Sequence, residues 1–183
     1  GIFAQYLMGV DITDPVAPLI TSISLPTANS TNQILIDRFT INFNKDMMAI
    51  TVTNSLSYDL RSAGPDGVIN TGDDVLYQVI NQNYSSGLTS SYMIGDGPLQ
   101  PGSYRLTAKT ALKDRSGNAL ASDYKRDFVV AGVTGFITES RSNDTQSTAT
   151  SLSITPGNLN DGSFSQGDSV GVGSRPYSIV SGR

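Results

Sequence analysis

The residues best equipped for chemistry crowd into one stretch, GPDGVINTGDDV at residues 64–75, where three aspartates, one asparagine and three glycines share twelve positions. Closely spaced oxygens suit a hard cation, and calcium takes about six to eight of them from carboxylates, amides, backbone carbonyls and water. Asp66, Asn70, Asp73 and Asp74 offer side-chain oxygens and Val68 a backbone carbonyl. The expected metal site is therefore Asp66, Val68, Asn70, Asp73 and Asp74, with calcium as the ion. Carboxylates this close repel one another unless a cation or solvent intervenes. The spacing is not that of an EF-hand, because Val68 stands where the second ligand belongs and Tyr77 where the closing glutamate would be. A reading without an ion is also open: a long hairpin loop in which Gly67 and Gly72 take positive φ and the aspartates bond their own backbone.

Composition removes most other chemistry. With no His and no Cys there is no Ser-His-Asp triad, no thiolate nucleophile, no His or Cys zinc cage and no disulfide. The remaining Asp, Ser and Lys residues show no spacing that marks a nucleophile or an acid/base pair, so no catalytic residue is expected. The 12 basic residues are outnumbered by 16 acidic ones, for a net charge of -4. The basic residues are scattered along the chain and form no run or stripe, so no nucleic-acid partner is expected. Glu139 is the only glutamate. Asp favours turns and oxygen-rich loops where Glu favours helices, and with abundant Ser, Thr, Gly and Asn this points to a loop-rich β protein. No stretch has the apolar length of a membrane span.

The elements that must position the loop read as strands. In YRLTAKT, Tyr104, Leu106 and Ala108 point one way and Arg105, Thr107 and Lys109 the other, as in a half-buried antiparallel strand. LSYDLR repeats the pattern with Leu56, Tyr58 and Leu60 inward, and DFVVAG, VLYQVI and LITSISL are further candidates. In QILIDRFTINF, Ile34 and Ile36 are out of phase with Phe39, Ile41 and Phe43, which predicts a bulge near Asp37 and Arg38. In KDRSGNAL, Asp114 and Asn118 are placed to bond the backbone of a tight turn through Gly117. About seven short strands divided by Gly, Pro, Asn and Asp clusters predict an all-β fold, an antiparallel sandwich of two sheets. The two prolines of DITDPVAP mark a linker opening a domain near Asp14. The expected organisation is residues 1–13 as the end of a preceding module or a linker, 14–133 as the sandwich, and 134–183 as linker and partial β module.

Several of these stretches, in this order, resemble the bacterial Ig-like domain of the S-layer and adhesin type: DITDPVAPLITS, FTINFNKDM, GPDGVINTGDD, and LQPGSYRLTAKTALKDRSGNAL followed by DFVV. A later stretch, ESRSNDTQSTATSL, resembles the opening of bacterial pre-peptidase C-terminal domains, although QGDSVGVGSRPY lacks the Asp-Tyr pair that follows the Gly-Asp turn there. The first resemblance implies an Ig-like sandwich serving as a non-catalytic structural module of a large secreted or surface-displayed bacterial protein, extracellular or at the cell surface. The partners it implies are neighbouring modules or identical subunits, and cell-surface or matrix components. Two alternatives stay open: a carbohydrate- or other ligand-binding module, and an accessory domain of a secreted hydrolase. The absence of Trp speaks against an aromatic sugar platform.

Overall fold

The computed structural model describes residues 14–133 together with Thr138, Gln146 and Ala149. The expected preceding module at 1–13 and, those three residues apart, the expected partial module at 134–183 lie outside the described residues. Among the described residues nine strands follow in order: β1 Ile20–Ile23, β2 Thr31–Asn32, β3 Arg38–Phe43, β4 Tyr58–Ser62, β5 Val75–Tyr77, β6 Val79–Asn81, β7 Thr89–Ile94, β8 Gly102–Ala108 and β9 Tyr124–Val130. They form two sheets, in the orders β1-β3-β7-β6 and β2-β9-β8-β4-β5. A four-residue helix, α1 Ala49–Val52, and a 3-10 turn at Ser55–Ser57 lie between β3 and β4.

The period-2 pattern decides the inner faces. On β8, Tyr104, Leu106 and Ala108 are buried as the alternation predicts, facing Phe39, Ile41 and Phe43 of β3 and Tyr92 and Ile94 of β7 in one core. Each such large apolar side chain contributes about 1.5–3 kcal/mol by leaving water. Aromatic pairs run through that core, with Phe39 stacked on Tyr92 at 5.1 Å and Tyr104 on Phe128 at 5.6 Å between ring centroids. The turn expected through Gly117 forms, with Gly117 at φ 88° and Asp114 accepting from the Asn118 amide at 2.9 Å.

Four details depart from the sequence expectation. The sandwich is not wholly antiparallel, because β2 pairs with β9 in parallel, Thr31 opposite Val129. Leu56 is exposed, since the chain is still in the 3-10 turn there and the strand starts at Tyr58. VLYQVI is two strands: β5 pairs with β4, and after Gln78 the chain crosses to the other sheet, where β6 pairs with β7. The phase change before Phe39 is made by a loop instead of a bulge. The Ile36 and Asp37 carbonyls accept from the amides of Leu99 and Ile94, both at 2.8 Å, which buries Ile36 and leaves Ile34 exposed.

Candidate functional site

The loop at residues 64–75 is carried by the β4/β5 hairpin, whose register places Leu60 opposite Tyr77 and Ser62 opposite Val75. Gly64 and Gly67 take φ of 59° and 70°, and the third left-handed position belongs to Asn70 at 73°. Gly72, expected to be left-handed, is not. Asn and Gly tolerate this conformation where a branched residue would not.

Each aspartate is turned onto its own loop. Asp66 Oδ1 accepts from the Val68 amide at 2.8 Å, Asp73 Oδ2 from the Asp66 amide at 3.0 Å, and Asp74 Oδ2 from the Asn70 amide at 2.8 Å. Asp74 Oδ2 also accepts from Arg61 at 3.2 Å, on a side chain only 7% exposed. Bonds from the Thr71 hydroxyl and the Asp66 amide hold the Asp73 carboxyl below its ordinary pKa. For Asp74, burial pushes upward, but the Asn70 amide and Arg61 outweigh it and the net shift is downward.

Of the five expected ligands the fold gathers three around one atom. Thr71 Oγ1 lies 2.9 Å from the Val68 carbonyl, 2.6 Å from Asp73 Oδ1 and 3.5 Å from Asp74 Oδ1. One hydroxyl proton serves three acceptors, so the oxygens are richer in lone pairs than in donors. Asp66 and Asn70 are drawn in differently, the first onto Val68 and the second through its backbone amide. Among the described residues no three carboxylates converge as a ready-made metal cage. Three protein oxygens are about half of calcium's usual complement. Side-chain rotation of Asp66 and Asn70, and water, would have to supply the others.

Sequence reasoning missed two residues that organise this loop, Thr71 and Arg61. Arg61 sits on the outward face of β4, directly opposite Arg105 of β8. Asp59 and Asp74 flank Arg61, and Asp127 grips Arg105 with two contacts of 2.6 Å. The signal was present in the alternation, which put Arg61 and Arg105 on the solvent side. Which carboxylates share that face depends on strand order, which alternation does not carry.

A family model described as "Bacterial Ig-like domain" matches residues 14–130. Among solved structures, the chain is similar to the N-terminal part of the bacterial S-layer protein SbsC, with TM-score 0.43 and 16% identity over 63% of this chain and 24% of that one. It is similar to PcoC, a copper resistance protein from Escherichia coli, with TM-score 0.47 and 14% identity over 62% of this chain and 99% of that one. CopC from Methylosinus trichosporium OB3b has TM-score 0.45 and 12% identity, over 66% of this chain and 99% of that one. The chain thus spans about a quarter of the length of the SbsC structure. No curated protein sequence matches it.

Proposed function

The chain belongs to the bacterial Ig-like domain family, and from that premise we propose that it is a non-catalytic structural module, a spacer in a large secreted or surface-displayed bacterial protein. The observation that carries this reading is where the polypeptide comes in and goes out. The stretch before β1 lies against the Asp114–Asn118 turn that precedes β9, since Asn118 Nδ2 donates to the Asp14 carbonyl at 2.6 Å. The stretch after β1 runs beside the far end of β9: the Val129 amide donates to the Ser30 carbonyl and the Ala131 amide to Asn32. The chain therefore comes in on the side of the sandwich where β9 starts and goes out where β9 ends, about the length of that strand apart. Seven residues at roughly 3.3 Å each make that about 23 Å. A module threaded end to end extends a string of domains, whereas one with adjacent termini hangs off to the side.

Protease shaving of intact host cells tests the location, with peptides from 14–133 expected in the released fraction. A protein found only inside the cell would sink the reading, as would hydrolysis of peptide, ester or glycoside substrates by the purified chain. In the same reading residues 14–133 fold as the autonomous unit. Limited proteolysis should leave a core with those limits.

Calcium binding by the 64–75 loop is the finer part of the proposal. The surplus of acceptors around Thr71 Oγ1 supports it, with Asp66 and Asn70 turning in to complete the shell. Extracellular calcium modules bind with dissociation constants of about 0.1–1 mM, so a few millimolar calcium would add roughly 1–2 kcal/mol by mass action. The melting temperature should rise by several degrees with calcium and not with magnesium. Asp66→Ala or Asp74→Ala should remove the calcium dependence without unfolding the domain. Superimposed melting curves in chelator and in calcium would leave the aspartates with their backbone hydrogen bonds alone.

A further inference from the structure

The Asp114–Asn118 turn does more than close on itself. Asp114 is 2% exposed, and its carboxylate is spent on two partners. Oδ1 accepts from the Asn118 amide at 2.9 Å, and Oδ2 accepts from Asn118 Nδ2 at 3.0 Å and from Lys45 Nζ at 3.5 Å. Both partners then reach to the start of the domain. Asn118 Nδ2 donates to the Asp14 carbonyl at 2.6 Å, and Lys45 Nζ donates to Asp14 Oδ2 at 2.6 Å and to the Val16 carbonyl. An ammonium has three N–H donors and no acceptor, and Lys45 has three oxygens, two of them on carboxylates of opposite charge. The side chain is 20% exposed, so this cation is largely withdrawn from solvent.

What these groups hold is the segment by which the polypeptide comes in. Asp14 Oδ1 accepts from the Val16 amide at 3.0 Å, Asn44 Oδ1 accepts from the Leu19 amide at 2.6 Å, and the Leu19 carbonyl accepts from the Asn44 amide at 3.0 Å. Pro15 and Pro18 restrict φ within the same five residues. The turn is itself anchored to the core side of the domain through a bridge between Asp114 and the buried Met47. The contacts join residues 31 and 104 positions apart, so they exist only in the folded sandwich.

We propose that Lys45, Asp114 and Asn118 form a latch that fixes the direction in which the polypeptide joins the sandwich, so that whatever module precedes it is held at a set angle by a lysine ammonium and not by a metal ion. A point cation that collects a linker carboxylate, a linker carbonyl and a carboxylate of the domain does what a divalent ion does with a shell of oxygens. Its consequence for an array rests on the spacer reading above, but the latch itself is a property of this domain and is tested on the domain.

The chain has no cysteine, so Val16→Cys, at a position 59% exposed, accepts a single spin label in the full chain. The spectrum at that position should be that of a slowly tumbling, immobilised label. Lys45→Met, which keeps the length of the stem without the charge, and separately Asn118→Ala, should raise the local mobility several-fold. A control label at Met93→Cys on β7 should stay unchanged in both. If either variant fails to fold by circular dichroism, Asp14→Asn reports the same loss from a partly exposed position. Unchanged spectra at Val16→Cys in the folded variants would overturn the latch. So would a chelator that mobilises the label while Lys45→Met does not, because a metal would then be the clamp. Neither result depends on where the protein resides or what it joins.

Discussion

The hydroxyls of Tyr58 on β4 and Tyr92 on β7 meet across the space between the two sheets, 2.5 Å apart, with ring centroids at 4.8 Å and an edge-to-face angle of 63°. Tyr58 donates to the Val52 carbonyl at 3.0 Å and so accepts from Tyr92. Ser90, buried two residues before Tyr92 on β7, accepts from Asn81 Nδ2 at 2.7 Å. The core is thus pinned by a chain of polar groups that runs from one sheet to the other, and low local dielectric strengthens such a chain when every member is paired.

Breaking this chain should show coupling. Tyr58→Phe leaves the Val52 carbonyl and the Tyr92 hydroxyl without their partner and should cost about 1–3 kcal/mol, and Tyr92→Phe, which leaves Tyr58 its bond to Val52, should cost less. The double variant should cost less than the sum, with a coupling of at least about 0.5 kcal/mol. Urea denaturation of the four proteins measures it. Additive losses would mean that the two hydroxyls act independently.

Alkaline pH should unfold the domain through the same residues. Burial raises the pKa of Tyr58, and the neighbouring Tyr92 raises it further; burial also raises Tyr92 and Tyr84. A native pKa above the ordinary 10 means that the unfolded chain loses its proton first, so the tyrosines' contribution to stability is constant below about pH 10 and is lost as pH rises past it. Absorbance of tyrosinate should rise in two stages, the second coinciding with loss of the β-sheet circular dichroism signal. A single smooth titration near pH 10 with intact dichroism would contradict the burial of this pair.

The acid limb should have the opposite origin. Arg105 lowers the pKa of Asp127, Arg38 that of Asp37, and the Gly87 amide, with Arg115 and Tyr84, that of Asp46. Carboxyls depressed in the native state contribute stability that is complete above their ordinary pKa of 3.8 and is lost as pH falls through the lower native values. The urea midpoint should be flat from neutrality to about pH 5 and fall below about pH 4. Asp127→Asn should shallow that fall, and a midpoint unchanged down to pH 2.5 would refute the account.

Two glycines of the 64–75 loop should respond differently to alanine. At Gly67, φ is 70° and an added Cβ meets nothing within 4 Å, so the substitution should cost about 1 kcal/mol of backbone strain. At Gly64 the same Cβ would lie 2.4 Å from the Asp73 carbonyl oxygen, which is backbone and cannot step aside. The loop would have to open, at a cost of roughly 3 kcal/mol or more. Equal losses in thermal or urea melts would mean that the close approach of Gly64 to Asp73 does not exist in solution.

Much of the fold was legible because alternation is a local property. Tyr104, Leu106, Ala108, Tyr58 and Leu60 each read correctly from their immediate neighbours, and so did the two-sheet all-β architecture. Strand β7 was not read at all. Its inward positions are Ser90, Tyr92 and Ile94 and its outward ones include Met93, so a buried serine and an exposed methionine blur the period, and the serine is tolerable because Asn81 satisfies it. The exposure of Leu56 and the crossing at Gln78 were hidden for a similar reason, since a strand ends where its partner ends and the partner is named nowhere in the local sequence.

For the acidic loop, residue types announced oxygen-rich chemistry at Asp66, Val68, Asn70, Asp73 and Asp74. Only the folded hairpin decided that Val68, Asp73 and Asp74 converge on Thr71 and that Arg61 shares Asp74. The turn through Gly117 marks the limit most clearly. Its local hydrogen bonds follow from the spacing of Asp114 and Asn118, but their grip on Asp14 spans the whole domain. Short-range bonds depend on a few dihedral angles that the residues themselves prefer, whereas a contact across 104 positions depends on every strand between having already found its place.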